Sequence, residues 1–347
     1  MIYLVIIFSI ACLFRLVLMM LNIYVARRKR EEVEDVLYFL WSVSMVMALY
    51  MSNVQASHLF LTWVVGMVVL SLMFKVEKKW SRYQLRRFVG VFYPGISIIV
   101  IHSLFYQVGA WVWGLTLSVT LLSLILYKLY FKKLVHRYFT LTPYKMPFDE
   151  TLNTIDESLN NALYMVKGKN FYLPMNALFT SLYKGKRVMM SEKLISRLNS
   201  LEVKAIILHE FGHYKHNHLR IRVVLLVITV MVYTLVLQSI YGFNGFGEGY
   251  INQFMALIFL GYPLSMVGEI IVYRIAQIQE YQADDYVINN HAGEALFRAL
   301  YVIGRAQGMS HKHPLYQWFF ESHPRFKKRL ITIHQAAKLD PSLLDLL

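Results

Sequence analysis

A series of long, nearly uninterrupted apolar runs constrains this chain more than any other feature. They lie at about 2–25, 36–51, 58–74, 88–106, 110–127, 223–240 and 254–273. A helix needs about 20 apolar residues to cross the hydrocarbon of a bilayer. It is favoured there because it satisfies its own backbone polar groups without water. Several of the runs approach that length. The second and third are short, and fit either a hairpin of two spans or helices buried against neighbours. Hydrophobic residues make up 57% of the chain and charged residues only 16%, so the polar part is the smaller one.

The basic residues sort these runs. "RRKR" at 27–30 follows the first run, "KVEKKWSRYQLRR" at 75–87 the third, and Lys128, Lys132, Lys133 and Arg137 the fifth. The connections "SNVQAS", "QVG" and "YGFNGFGEGYIN" carry no Lys or Arg. Basic loops stay on the cytoplasmic side. The N-terminus is therefore expected outside, and 28–35, 75–87, 131–222 and 274–347 inside. The expected fold is mostly α, a polytopic membrane protein of about seven transmembrane helices with a small α+β domain at the cytoplasmic face. Residues 1–137 would hold five helices and 223–273 two more, while 138–222 and 274–347 form the two parts of the polar domain. A site built from both parts would lie near the membrane surface.

The net charge of +15 fits headgroups and topology, not nucleic acid, because the basic runs flank apolar segments. Cys12 is the sole cysteine, which excludes an intrachain disulfide. "FSIAC" resembles a lipoprotein processing site, but no Lys or Arg precedes the run, so 2–25 reads as a retained membrane helix. Arg15 inside it would snorkel, face a polar cavity or pair with an acid. Pro263 is expected to kink the seventh run, and Gly66, Gly95 and Gly261 permit close helix approach.

Chemistry concentrates in "HEFGHYKHNH" at 209–218. The preceding "LEVKAIIL" places Val203, Ile206, Ile207 and Leu208 at helical spacing, with Ser200 as the expected N-cap. On a helix, His209 and His213 stand one above the other and can reach one zinc ion. Glu210, next in sequence to His209, can orient and deprotonate the attacking water. A catalytic zinc needs a third protein ligand. "AQIQEYQADDYVINN" offers Glu280, and Asp284 one turn later can accept the far-side N–H of a ligating histidine. Ile275, Ile278, Val287 and Ile288 mark part of that helix as core.

The other histidines read as supporting residues. His216 returns nearly to the ligand face two turns along, which suits packing or a water network. His218 points about 180° away from His209 on a continuous helix and would end that helix, favoured by its dipole when charged. His311 and His313 in "MSHKHPLY" read as surface or cleft residues. The stretch 150–169 is expected to contain a helix packed under the polar domain. "NFYLPMNALF" and "RVMM", around "YKGK", read as a strand hairpin whose exposed edge could pair with an extended peptide.

"HEFGH", two spans and then "EYQAD" resembles the integral-membrane zinc peptidases comprising the CAAX prenyl endopeptidases and the bacterial heat-shock membrane protease, which are gluzincins. "PMNALFTSLYKGKRVMMSEKLISRL" and "SHPRFKKRL" resemble further family segments, so the likeness covers about 170–331. The family also has a histidine at the position of His218. About seven spans favour the prenyl endopeptidase type over the shorter four-span type.

The resemblance implies one zinc per chain, held by His209, His213 and Glu280, with Glu210 as base and His323 stabilising the oxyanion. It implies that Arg329 holds Asp284 or the His323 loop, and that Asn176 and Ala177 bind substrate. Asn176 fits a turn residue after Pro174 equally well. The implied enzyme is a zinc metalloendopeptidase acting on membrane-associated or lipid-modified peptides, with spans enclosing a chamber. Its partners are such peptides and the bilayer, with no nucleic acid. It would lie in the plasma or inner membrane of a bacterium, or the endoplasmic reticulum of a eukaryote. The alternatives are quality-control proteolysis of membrane proteins and a non-catalytic zinc-binding receptor or scaffold.

Overall fold

The computed structural model describes residues 2–25, 137–145, 162–169, 173, 175–180, 187–241, 250–306 and 312–346, with isolated positions between 36 and 135. The expected spans at 36–51, 58–74, 88–106 and 110–127 lie outside the described residues, isolated positions apart. Two compact units emerge: Met1–Val119 with Val227–Gly268, and Thr120–Leu226 with Glu269–Leu347.

In the first unit, α1 (Ile2–Val25) is strongly apolar, with Arg15 the one charged residue in it. Phe8 is buried edge-on against Phe259 and Tyr262, with ring centroids 5.1 and 5.7 Å away. Tyr3, Ile6, Ile10, Leu13, Val17 and Met20 are exposed. So much bare apolar surface on one helix fits lipid and not water. Two further long helices, numbered α4 (His218–Tyr241) and α5 (Tyr250–Asn289) by their place in the chain, pass through this unit. Pro263 lies inside α5 without ending it. A Cβ at Gly261 would meet the Tyr233 hydroxyl at 2.5 Å, so the glycine makes room for the tip of that α4 side chain.

Among the described residues two helices, α1 and α5, are long and apolar enough to cross a membrane. A third span arises only if α4 counts together with the helix before it, across a 48° bend. The chain is thus a mostly helical membrane protein that also carries a small sheet.

The second unit holds that sheet, in strand order β1-β2-β4-β3. β1 (Phe139–Pro143) pairs antiparallel with β2 (Leu163–Gly168), and β2 pairs in parallel with β4 (Arg187–Ser191). β3 (Ala177–Thr180) pairs antiparallel with β4, Ala177 opposite Met190, and is an outer strand. The two strands expected on either side of "YKGK" therefore pair; residues 181–186 lie outside the described residues. The helix expected within 150–169 does not extend through 163–168, which is strand β2; residues 150–161 lie outside the described residues. β4 is central and its Val188, Met189, Met190 and Ser191 are buried.

Short α2 (Glu192–Ile195) begins where Ser191 Oγ accepts the Leu194 N–H at 3.3 Å. Helix α3 (Ser200–Lys215) starts one residue earlier than expected. Asn199, not Ser200, is its N-cap. Asn199 Oδ1 accepts the Glu202 N–H and Glu202 Oε2 accepts the Asn199 N–H, both at 2.9 Å. This capping box satisfies donors that the first turn leaves free. Val203, Ile206, Ile207, Leu208 and Phe211 of α3 pack with Leu296, Phe297 and Leu300 of α6 (Gly293–Ala306) and with Leu330 and Ile333. Each fully buried side chain of this size contributes roughly 1.5–3 kcal/mol. The core clamps α3 from one side and leaves its C-terminal half to meet α5.

Candidate metal centre

Helices α3 and α5 meet at a glycine. A Cβ on Gly212 would stand 3.1 Å from the Ala283 Cα and 3.2 Å from its carbonyl oxygen. The missing side chain lets the two backbones approach. His209 and His213 flank Gly212 on α3, and Glu280 and Asp284 flank Ala283 on α5.

At this contact His209 Nε2 lies 3.3 Å from His213 Nε2 and 3.6 Å from Glu280 Oε2, and His213 Nε2 lies 3.4 Å from Glu280 Oε1. These atoms form a cluster able to hold a metal ion. Donors about 2.0–2.1 Å from a tetrahedral zinc stand about 3.3–3.4 Å from one another. These separations, which run to the two different oxygens of Glu280, are close to that spacing, and the donor set of two imidazoles and a carboxylate suits zinc. The residues therefore fit the ion.

The surrounding groups orient the donors. His209 Nδ1 lies 3.0 Å from Asp284 Oδ1, which fixes the ring and leaves Nε2 facing the cluster. Arg329 is buried on α8 (Phe326–Ala336; α7 is Pro314–Phe320). Its Nε and Nη2 grip the Asp284 carboxylate at 2.6 and 2.7 Å, and its Nη1 lies 3.2 Å from Glu280 Oε2. Between the two places the sequence left open for Arg329, the structure puts it on Asp284. Burial alone would raise Glu280, but His209, His213 and Arg329 outweigh it and hold the carboxylate well below its usual range. Asp284 is likewise pushed up by burial and held down overall by Arg329 and His209. For His209 burial works downward, yet its bonds to Asp284 and Glu280 raise it to about 9.

Glu210 Oε2 accepts the Phe179 N–H at 3.0 Å, tying the base candidate to β3. Asn176 is exposed, while its backbone is pinned to Ser191: its N–H donates to Ser191 Oγ at 3.0 Å and its carbonyl accepts the Ser191 N–H at 2.9 Å. Backbone groups alternate along a strand. Those of Ala177 and Phe179 therefore face away from β4, as the Phe179–Glu210 bond illustrates.

His323 sits on the turn before α8, with Nε2 3.7 Å from Glu280 Oε1 and Nδ1 2.9 Å from Ser322 Oγ. Its side chain is 65% exposed, so it can turn toward a bound molecule. Gln277 on α5 steadies this turn, its amide donating to the carbonyls of Gln317 and Glu321 at 3.0 and 2.7 Å. His313 is a cap: its Nδ1 accepts the Leu315 N–H at 3.3 Å at the start of α7. His311 lies outside the described residues.

His218 departs from expectation. Helix α3 ends at Lys215, and Asn217 has φ 55°, which breaks the continuous helix assumed for the angular argument. His218 opens α4 and folds back, 1% exposed, with Nδ1 2.7 Å from His213 Nδ1. Burial, and next the nearby His213, lower it to about 4. It is neutral, not a charged helix terminus. His216 caps α3 and stacks on the His218 ring at 5.5 Å. Gln277, Ser191 and Gly212 carry no metal-ligand spacing, so nothing in their local sequence marks them.

The model for "Peptidase family M48" matches residues 150–337. A CAAX prenyl protease 1 homolog of Dictyostelium discoideum is 24% identical over 264 residues, which is 70% of this chain and 60% of that protein. One of Oryza sativa subsp. japonica is 23% identical over 319 residues, covering 88% of this chain and 71% of that protein. This chain thus spans about 60% of the length of the first of these relatives. The crystal structure of S. mikatae Ste24p has the same fold, with a TM-score of 0.61 at 20% identity, over 87% of this chain and 84% of that one.

Proposed function

The chain belongs to peptidase family M48, and from that premise we propose that it is a zinc-dependent membrane endopeptidase that cleaves lipid-modified peptides, prenylated ones included. The observation that carries this reading is the cluster of His209, His213 and Glu280, with Glu210, next to His209 on α3, bonded to the outer strand β3. Relatives named CAAX prenyl protease support the prenylated substrate class.

One zinc per chain, held by those residues, would supply Lewis acidity toward water and the scissile carbonyl. The chain's own residues do the rest. The substrate lies extended along β3, bonded through the outward backbone groups of Ala177 and Phe179. Asn176, exposed at the start of the strand, adds a side-chain contact. Glu210 leaves the Phe179 N–H to the substrate and takes a proton from the attacking water. The water oxygen bonds to the carbonyl carbon, the C–N bond breaks, and Glu210 passes the proton to the departing amine. His323 donates a hydrogen bond as charge grows on the carbonyl oxygen. Asp284 and Arg329 hold His209 in the orientation that bares Nε2.

The membrane arrangement proposed with this chemistry has seven spans, the N-terminus outside and the peptidase domain cytoplasmic. Its domain limits are 1–137, 138–222, 223–273 and 274–347. The test uses purified protein in lipid vesicles and a pair of peptides identical except for a C-terminal prenyl group. Cleavage at one defined bond, faster with the prenyl group and lost in Glu210→Gln, is expected. Capture of many unrelated membrane proteins by Glu210→Gln would instead point to quality control. Zinc-loaded protein inert toward a broad membrane-peptide library would overturn the enzyme reading.

A further inference from the structure

His209 has an evident partner for its far nitrogen, and His213 has a different one. His213 Nδ1 faces His218 Nδ1 at 2.7 Å. His218 Nε2 in turn lies 3.0 Å from Gln282 Oε1. Gln282 belongs to α5, two residues before Asp284, and its side chain reaches His218 from the exposed side of that helix.

The protons can be placed by elimination. An amide oxygen only accepts, so His218 Nε2 carries a hydrogen and donates it to Gln282. A neutral imidazole has one such hydrogen, so His218 Nδ1 is bare and accepts. His213 Nδ1–H is then the donor across the 2.7 Å contact. That leaves His213 Nε2 without a hydrogen, its lone pair directed at the position shared with His209 Nε2 and Glu280 Oε1, 3.3 and 3.4 Å away. The reversed amide would invert the chain of donors. His218 would then donate through Nδ1, His213 would carry its hydrogen on Nε2, and that hydrogen would block the metal donor.

We propose that His218 and Gln282 form a relay that sets the tautomer and ring orientation of His213, as Asp284 does for His209. Both are positioning residues, and α5 thereby supports both imidazoles of α3: Asp284 the first directly, Gln282 the second through His218. The relay also gives a reason for the break at Asn217. A straight α3 would carry the ninth residue after His209 to the opposite side of the helix, whereas the turn at residues 216–217 brings His218 back under His213.

This inference rests on the zinc-site reading. Its test measures the zinc dissociation constant of the full-length purified protein by chelator competition, with the absorption spectrum of the cobalt-substituted protein alongside. Gln282→Glu keeps an acceptor toward His218, and Gln282→Met has similar length but no such acceptor. The relay predicts affinity within about threefold of wild type for Gln282→Glu and about 10–100-fold weaker for Gln282→Met. His218→Ala should match Gln282→Met, with an altered cobalt spectrum. If Gln282→Met binds zinc like wild type, or Gln282→Glu falls as far as Gln282→Met, the relay is wrong. Gln282 is exposed, so its variants decide the matter even where His218→Ala does not fold. Wild-type protein that binds no zinc would overturn the metal site itself, a separate outcome.

Discussion

His209 faces two requirements. As a metal ligand it must be neutral, yet between Asp284 and Glu280 it is raised to about 9 without the ion. At neutral pH it therefore holds a proton that zinc must displace. Zinc affinity should climb about tenfold per pH unit from about 6.5 and level off near 9. Calorimetry in buffers of different ionisation enthalpy should find about one proton released per zinc at pH 7.5; a flat affinity between pH 6.5 and 8.5 would mean that His209 is neutral beforehand. The same shift bears on stability. A folded-state value above the unfolded one stabilises fully below the unfolded value of about 6.5 and loses that contribution as pH rises through about 9. The melting temperature of chelator-treated protein should therefore drop over that window. Arg329 makes the converse case. Removing its buried guanidinium takes away the cation that bridges Asp284 and Glu280, leaving His209 alone between two buried carboxylates. Arg329→Ala should cost about 3–5 kcal/mol in denaturant unfolding, and Arg329→Lys should recover only part, because a single ammonium cannot reproduce the two-point grip.

At the level of elements, the site depends on how closely α3 and α5 touch. Alanine is the better helix former by about 1 kcal/mol. At Gly212, however, the added methyl meets the backbone of Ala283, which has no rotamer to turn away. Overpacking of this kind costs typically about 1–3 kcal/mol. Gly212→Ala should thus weaken zinc binding by pushing Glu280 away from the histidines, with the helical signal in circular dichroism unchanged. Zinc affinity equal to wild type would mean that the helices can slide without harm. The same elements divide what could be read in advance from what could not. His209 and His213 were legible because helical spacing is local, whereas Glu280, on a distant helix, was singled out by the family resemblance; β3–β4 was legible because "YKGK" joins strands close in sequence. Strand β2 was not, since Leu163–Gly168 gains its identity from parallel pairing with a distant strand, Leu163 opposite Val188 of β4, and the polar stretch before it suggests a helix. His218 was misplaced because Asn217 breaks the helix without a glycine or proline to announce it. Asn199 and Ser200 are both good caps, and only the reciprocal bond from Glu202 decides between them.

For the molecule as a whole, the residues that could hold and serve the ion fall into two stretches, 176–218 and 277–329, with the apolar runs 223–240 and 254–273 between them. Both stretches must therefore emerge on one side of the membrane, and the Lys/Arg-free connection 241–252 on the other, if each run crosses once. The 48° bend between α3 and α4 makes this worth testing, because a bend of that kind also occurs where a chain dips in and returns. The native Cys12 is buried in α1 and gives little background to thiol reagents. A cysteine at Asn244 reports on the connection, and one at exposed Ser342 reports on the far end of the peptidase domain. A membrane-impermeant maleimide added to intact cells should label Asn244→Cys at once and Ser342→Cys only after permeabilisation. The reverse pattern would invert the proposed orientation. Labelling of both from the same side would mean that 254–273 does not cross, and the two stretches would then reach a common side by a re-entrant path through the bilayer.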